Sequence, residues 1–72
     1  MRIAYHPDTD SLYVELVARP SVDSHEVTPG VVIDYDAHGN VVGIDIDHAS
    51  DKVALDELTL SRLPANSRRP TA

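Results

Sequence analysis

Residues 30–47 read GVVIDYDAHGNVVGIDID, in which two β-branched apolar runs flank a polar segment that ends in Gly39-Asn40. This composition is typical of a β-hairpin. Glycine adopts positive φ without steric cost, so Gly39 suits the left-handed position of a short turn. The Asp36 carboxylate is placed to accept hydrogen bonds from nearby amides. We therefore assign structural turn roles to Asp36, Gly39 and Asn40, within a central hairpin.

Three further strands are predicted upstream of this hairpin. Residues 2–6 and 12–17 alternate between polar and apolar side chains, and the turn cluster at residues 7–11 separates them. Residues 24–28 are polar enough for an edge strand, which Pro29-Gly30 ends. With the two strands of the central hairpin, the chain is expected to form an antiparallel β-meander of about five strands.

A helix is predicted after the last strand. Leu55, Leu58 and Leu63 recur with helical spacing, and Pro64 ends the pattern. We expect about two to three helical turns, packed on one face of the sheet, which gives an α+β fold. One core is then expected, built from Ile3, Leu12, Val14, Leu16, Ile33, Ile44, Ile46, Leu55 and Leu58.

The opposite face of the sheet also carries apolar side chains. Since strand residues alternate between faces, this face would present Tyr13, Val17, Val32 and Val41. A single short helix covers only one side of a sheet, so these residues would form an exposed apolar patch. We expect them to form the interface of a homodimer. The alternative is a monomer with scattered surface valines.

Length and composition limit the architecture. The chain has 72 residues, which allows one domain, expected over residues 1–64, with a disordered tail at residues 65–72. It contains no cysteine, so neither a disulfide framework nor a thiolate metal site is available. No apolar run approaches the ~20 residues of a membrane span, and a strand rather than a signal peptide opens the sequence. We expect a cytoplasmic protein.

Charge is distributed unevenly along the chain. The formal net charge is −6; residues 1–52 hold ten acids and three bases, and residues 53–72 hold two acids and three bases. An acidic body repels phosphate backbones, so direct nucleic-acid binding is not expected, whereas a basic protein would be attracted. Simple solubility is the alternative explanation for this charge.

Two segments together resemble a known family. They are YHPDTDSLYV (residues 5–14) and GVVIDYDAHGNVVGIDI (residues 30–46), the second followed by Ala49-Ser50. The chain resembles the DUF2283 family of small bacterial and archaeal proteins over about residues 2–60. This resemblance implies a β-meander with a short helix and, for some members, an antitoxin role beside small ribonuclease-like toxins. The present sequence has His6 where the family usually has Asp, and Asp45 where Glu is common.

Residues 34–45 are close to a calcium-binding loop. Asp34, Asp36, His38 and Asp45 occupy four ligand positions of the pattern D-x-[DN]-x-[DN]-G-x5-E. A calcium loop curls these side chains around one ion, whereas strand residues after the turn would point in alternate directions. His38 also replaces an oxygen ligand, and Asp45 is shorter than the usual Glu. The turn interpretation is therefore favoured, and calcium binding stays an alternative.

No pattern indicates catalysis. The four histidines, His6, His25, His38 and His48, form no local pair, and G-x-S-x-G and phosphate-loop motifs are absent. A sheet this small lacks the ~300 Å³ of concave volume that usually holds a substrate. We expect no enzyme, no cofactor and no metal.

The leading functional hypothesis is a protein-binding module. Its specific form, implied by the resemblance, is an antitoxin that neutralises a small basic ribonuclease-like toxin. Two alternatives remain: a structural homo-oligomer without ligand, and a small metal-dependent hydrolase that uses Asp34, Asp36 and His38.

Overall fold

The computed structural model describes residues 1–64, and the predicted tail at residues 65–72 lies outside them. The described chain forms these elements: β1 (Arg2–His6), β2 (Ser11–Glu15), β3 (Asp23–Thr28), β4 (Val31–Tyr35), β5 (Val41–Asp47) and α1 (Ala49–Lys52). All strand pairs are antiparallel. The predicted five-stranded antiparallel sheet with one short helix is thus confirmed.

The strands lie in the order β1-β2-β5-β4-β3, so consecutive strands are neighbours everywhere except between β2 and β3. The hairpin predicted from residues 30–47 supplies β5, which is the central strand. The loop at residues 16–22 connects β2 to β3 and passes the turn between β4 and β5. Two backbone hydrogen bonds of 2.9 Å hold it, from the Leu16 amide to the Val42 carbonyl and from the Val22 amide to the Tyr35 carbonyl.

The two edge strands differ in regularity. β1 pairs with β2 in continuous register over all five of its residues. β3 pairs with β4 with a register shift between Glu26 and Thr28, and all six residues of β3 are exposed. A bulge of this kind disrupts the ladder and hinders the addition of another strand.

One face of the sheet is apolar. The register aligns Val14, Ile44 and Ile33 in one row across β2, β5 and β4. The neighbouring row and β1 add residues of the same kind. The apolar face consists of Ile3, Tyr5, Leu12, Val14, Val31, Ile33, Ile44 and Ile46.

Burial on this face is shallower than the predicted core requires. Among residues 1–64, the fully buried apolar side chains are Val42 and Ala49, with exposed fractions of 2% and 0%. The predicted core residues of the three inner strands are half-buried, namely Leu12, Val14, Ile33, Ile44 and Ile46. The other four predicted core residues, Ile3, Leu16, Leu55 and Leu58, are exposed. The prediction was wrong for these four because no regular second layer of the described chain covers the sheet.

The predicted helix of two to three turns is also wrong. α1 is a single turn, after which Val53 adopts an extended conformation and residues 54–64 form neither helix nor strand. His48, before the helix, has φ of 51° and gives no side-chain cap. Short helices are marginal unless packing holds their apolar side. The side chains of Leu58 and Leu63 are 70% and 54% exposed, so packing does not stabilise a helix at these residues. The packing of α1 on one sheet face stays a prediction.

No helix in the described part of the chain has the length and apolar character needed to cross a membrane.

Candidate functional site

The sheet face opposite the apolar face carries most of its acidic side chains. Along each strand these residues alternate with those of the apolar face. We call this surface the carboxylate face, and its acids are Glu15 on β2, Glu26 on β3, Asp34 on β4, and Asp45 and Asp47 on β5.

Tyr13 lies across the centre of the carboxylate face. Its ring passes over Gly43 on β5, where an added Cβ would lie 2.6 Å from Tyr13 Cζ. The missing side chain lets the ring reach β4, where the Tyr13 hydroxyl donates to Asp34 Oδ2 at 2.9 Å. The Ser24 hydroxyl on β3 donates to Asp34 Oδ1 at 2.7 Å. One carboxylate thus links β2, β3 and β4.

The carboxylates of this face perturb one another. The pKa of Asp45 is raised above its ordinary value because burial disfavours the charged form, and the charges of Asp47 and Asp34 add to this, while His6 opposes it. The pKa of Tyr13 is raised by its hydrogen bond to Asp34, by burial and by the surrounding carboxylates. A cation bound near Asp45 would therefore stabilise the charged form of this carboxyl, which its surroundings disfavour.

Few basic groups offset these acids within residues 1–64. Arg2 Nε lies 3.2 Å from Glu15 Oε1, but the Arg2 side chain is 64% exposed. Exposed pairs of this kind contribute about 0–1 kcal/mol. The Lys52 ammonium donates to the backbone carbonyl of Asp47 at one end of the sheet. The centre of the carboxylate face, around Asp34 and Asp45, is left with an excess of negative charge.

The turn between β4 and β5 is built around Asp36. Its Oδ1 accepts hydrogen bonds of 2.9 Å from the His38 and Asn40 amides. The Arg19 guanidinium lies 3.7 Å from Oδ2, and Gly39 has φ of 81°. The pKa of Asp36 is lowered, chiefly by the bond from the Asn40 amide. With an exposed fraction of 7%, Asp36 fixes the turn and the loop that crosses it.

The residues of the calcium and hydrolase hypotheses are not brought together. Asp36 is bonded to turn amides at the end of the sheet, whereas Asp34 is bonded to Tyr13 and Ser24 on the carboxylate face. Asp45 lies on the same face, on the neighbouring strand. No three His, Cys, Asp or Glu side chains of the described chain, the four histidines included, are arranged to hold a metal ion.

The four residues predicted as a homodimer interface occupy different surroundings. Tyr13 and Val32 lie on the carboxylate face, on either side of Asp45. Val17 belongs to the loop after β2, and Val41 is paired with Tyr35 next to a register shift. An interface through these residues stays a prediction, and it would include the acids around them.

A contact between the β1–β2 turn and the start of α1 was not predicted from the sequence. Asp10, with φ of 52°, accepts hydrogen bonds of 2.7 Å from the Tyr5 and Ser50 hydroxyls and one of 3.1 Å from the Ser50 amide. The Asp10 carbonyl accepts the Ala49 amide at 2.9 Å. Asp10 thereby supplies the cap that His48 does not. These bonds, those from Ser50 first, lower the pKa of Asp10.

Comparison with known proteins adds a family but no function. No curated protein and no solved structure matched the chain. A family model described as a protein of unknown function (DUF2283) matches residues 2–50. The matched range contains all five strands and both partners of the Asp10–Ser50 contact. Since the match covers well over half of the sequence, the chain belongs to the DUF2283 family.

Proposed function

We propose that this chain is a non-enzymatic protein-binding module whose carboxylate face binds a basic protein. The observation that carries the proposal is the segregation of five acids onto one side of the sheet, opposite an apolar side. A single-sign field on one surface attracts a partner of opposite charge and orients its approach.

The centre of the binding surface is the group around Tyr13. Its ring, held over Gly43, gives a flat surface beside Asp34, which the Tyr13 and Ser24 hydroxyls hold in place. Lysine and arginine side chains bind carboxylates and also stack on aromatic rings. Burial first, and then the charges of Asp47 and Asp34, raise the pKa of Asp45, so a bound cation would stabilise a charge that its surroundings disfavour.

The specific partner we propose is a small basic ribonuclease-like toxin, which makes the chain an antitoxin. A protein that binds RNA needs a basic surface for the phosphate backbone. An acidic sheet face can occupy that surface and exclude RNA. We do not propose the hydrolase alternative, because Asp34 and Asp36 are engaged in separate hydrogen-bond networks.

Co-expression tests this proposal. A small basic protein encoded beside this chain should arrest growth when expressed alone, and co-expression of the chain should restore growth. The triple variant Glu15→Gln, Asp34→Asn, Asp45→Asn should lose the protection. The control Asp8→Asn, Asp51→Asn, Asp56→Asn has the same net charge but an intact carboxylate face, and it should still protect.

Purified proteins give the second readout. The affinity for the basic partner should fall steeply as salt is raised, because surface charges are screened. The triple variant should bind at least about tenfold more weakly than the control, a difference of roughly 1.4 kcal/mol. Equal binding by the two variants would reject the carboxylate face as the site, and unrelieved toxicity with the wild-type chain would reject the antitoxin role.

A further inference from the structure

β1 is an unprotected edge of the sheet. It pairs with β2 in unbroken register, and no strand of residues 1–64 pairs with its other side. Natural edge strands are usually blunted by bulges, charged side chains or proline, because free backbone groups are a template for another strand. β3, at the opposite edge, has a bulge and carries Asp23 and Glu26. β1 has no bulge, proline or acid, and its arginine, Arg2, is paired with Glu15 on the neighbouring strand.

The charge distribution singles out β1 for contact between two copies of the chain. The net charge is −6, yet β1 contains no acid. Its Arg2 is already paired with Glu15. Two copies that met through their carboxylate faces would instead oppose five acids with five acids. Contact through β1 avoids this repulsion.

An apolar groove lies beside β1 on the apolar face. A cavity of about 360 Å³ opens between the sheet and the segment after α1, so the expectation that so small a sheet lacks such a concave volume was wrong. The walls of the cavity include Ile3, Tyr5, Leu55 and Leu58. These four side chains have exposed fractions of 46%, 40%, 39% and 70%. Contiguous apolar surface of this kind marks an interaction site. The free edge and the exposed apolar side chains therefore occur at the same border of the molecule.

We infer that β1 pairs antiparallel with β1 of a second copy, about a two-fold axis at Ala4. This register places Ile3 opposite the second copy's Tyr5, and both belong to the apolar face, where aliphatic and aromatic cross-strand pairs stabilise a sheet. The two apolar grooves become continuous across the seam. The pairing is isologous, so it closes at two chains, and the bulged β3 lies at both outer edges.

This interface differs from the one predicted through Tyr13, Val17, Val32 and Val41. It also stands apart from the proposed function, because none of the five acids of the carboxylate face lies on β1. A dimer through β1 leaves both carboxylate faces open, and either proposal can fail without the other.

Light scattering on matched edge variants tests the inference. At about 100 µM, well above a micromolar dissociation constant, the wild-type chain should have twice the single-chain mass of 7.9 kDa. Ile3→Lys should reduce the mass to that of one chain. Val27→Lys adds the same charge to the other edge, at a side chain 52% exposed, and should leave the mass doubled. Far-UV circular dichroism identifies variants that stay folded.

A cross-linking measurement decides the matter if Ile3→Lys does not fold. The chain has no cysteine, so Ala4→Cys introduces a single thiol. Residues directly opposite each other have Cβ atoms roughly 5 Å apart, close enough for a disulfide after small adjustment. Diamide should convert Ala4→Cys to a covalent dimer and leave Val27→Cys largely monomeric.

Three results would overturn the inference. The first is a single-chain mass for the wild type. The second is a folded Ile3→Lys variant that stays dimeric, especially if Tyr13→Glu dissociates the dimer. The third is equal disulfide yield from Ala4→Cys and Val27→Cys.

Discussion

Substitution of Gly43 by alanine should disturb the carboxylate face from beneath. Gly43 lies on the central strand, under the Tyr13 ring, and an added Cβ would lie 2.6 Å from Tyr13 Cζ and closer still to the hydroxyl oxygen. Distances under about 3 Å are far inside van der Waals contact, which is optimal near 3.5–4.0 Å. The ring must therefore move, and its 2.9 Å hydrogen bond to Asp34 must lengthen or break.

The expected cost follows from two opposing effects. A hydrogen bond to a charged group contributes about 1.5–3 kcal/mol, and partial exposure of this pair places it at the low end. Alanine is favoured over glycine in a strand by roughly 0.5–1 kcal/mol, which offsets part of that loss. Displacement of the Tyr13 ring from the sheet adds to the cost. Gly43→Ala should therefore lower the stability by about 1–2 kcal/mol, or Tm by about 5–15 °C for a domain of this size.

Thermal melts in two backgrounds isolate the cause. In Tyr13→Ala, where no ring covers Gly43, the same Gly43→Ala substitution should be neutral or stabilising by up to about 1 kcal/mol. Tyr13→Phe removes the bond to Asp34 but retains the ring, and it separates the two contributions. An equal loss of Tm in the wild-type and Tyr13→Ala backgrounds would refute the steric explanation. No loss in the wild type would refute the observed position of the ring.

Three further outcomes are expected. Asp10→Asn should destabilise the fold near neutral pH and make its stability less sensitive to acid, because the hydrogen bond from Ser50 lowers the pKa of Asp10. The stability that the carboxylate contributes is complete above about pH 4 and is lost as the pH falls through the folded-state pKa. Thermal melts from pH 7 to pH 2 measure this loss. Ile44→Ala should lower the free energy of unfolding by about 2 kcal/mol, the low end for truncation of an aliphatic side chain, because Ile44 is half-buried. A urea titration with an unchanged midpoint would show that Ile44 does not belong to the core. Asp45→Asn should stabilise the fold at pH 7 by up to roughly 1 kcal/mol, because it removes a charge that burial disfavours and that Asp47 and Asp34 repel. Since the pKa of Asp45 is raised, this gain should shrink as pH falls through that pKa and vanish below about pH 4.

Local patterns in the sequence were enough to predict the strands. Alternation and turn residues placed all five strands within one or two residues of their observed bounds. The turn at Asp36 and Gly39 could also be predicted from the sequence, because few residues other than glycine tolerate a φ near 81°. These features depend on neighbours in sequence, which a single chain displays directly.

Features that depend on residues far apart in the sequence could not be predicted from local patterns. The leucine spacing after α1 predicted a helix, but helix stability depends mainly on packing, and Leu58 and Leu63 remain largely exposed. The Asp10–Ser50 contact joins residues 40 positions apart, and no local spacing relates them. The sequence does contain one local signal of the carboxylate face, because an isolated glycine inside a strand, such as Gly43, indicates close approach by another group.

The position of Asp45 bears on why this fold retains an acidic face. Solubility requires only exposed charge, and residues outside the sheet already supply it at Asp8, Asp51 and Asp56. Asp45 instead lies half-buried on the central strand, where burial and the charges of Asp47 and Asp34 raise its pKa. Few side chains of residues 1–64 are fully buried, so the described fold has little stability to lose. Solubility alone does not explain a disfavoured charge that an asparagine would remove. Local choices that oppose stability are expected where a surface has a function, so Asp45→Asn should strengthen the fold and weaken binding of a basic partner together. Solubility alone predicts the first effect without the second, and that difference separates the two explanations.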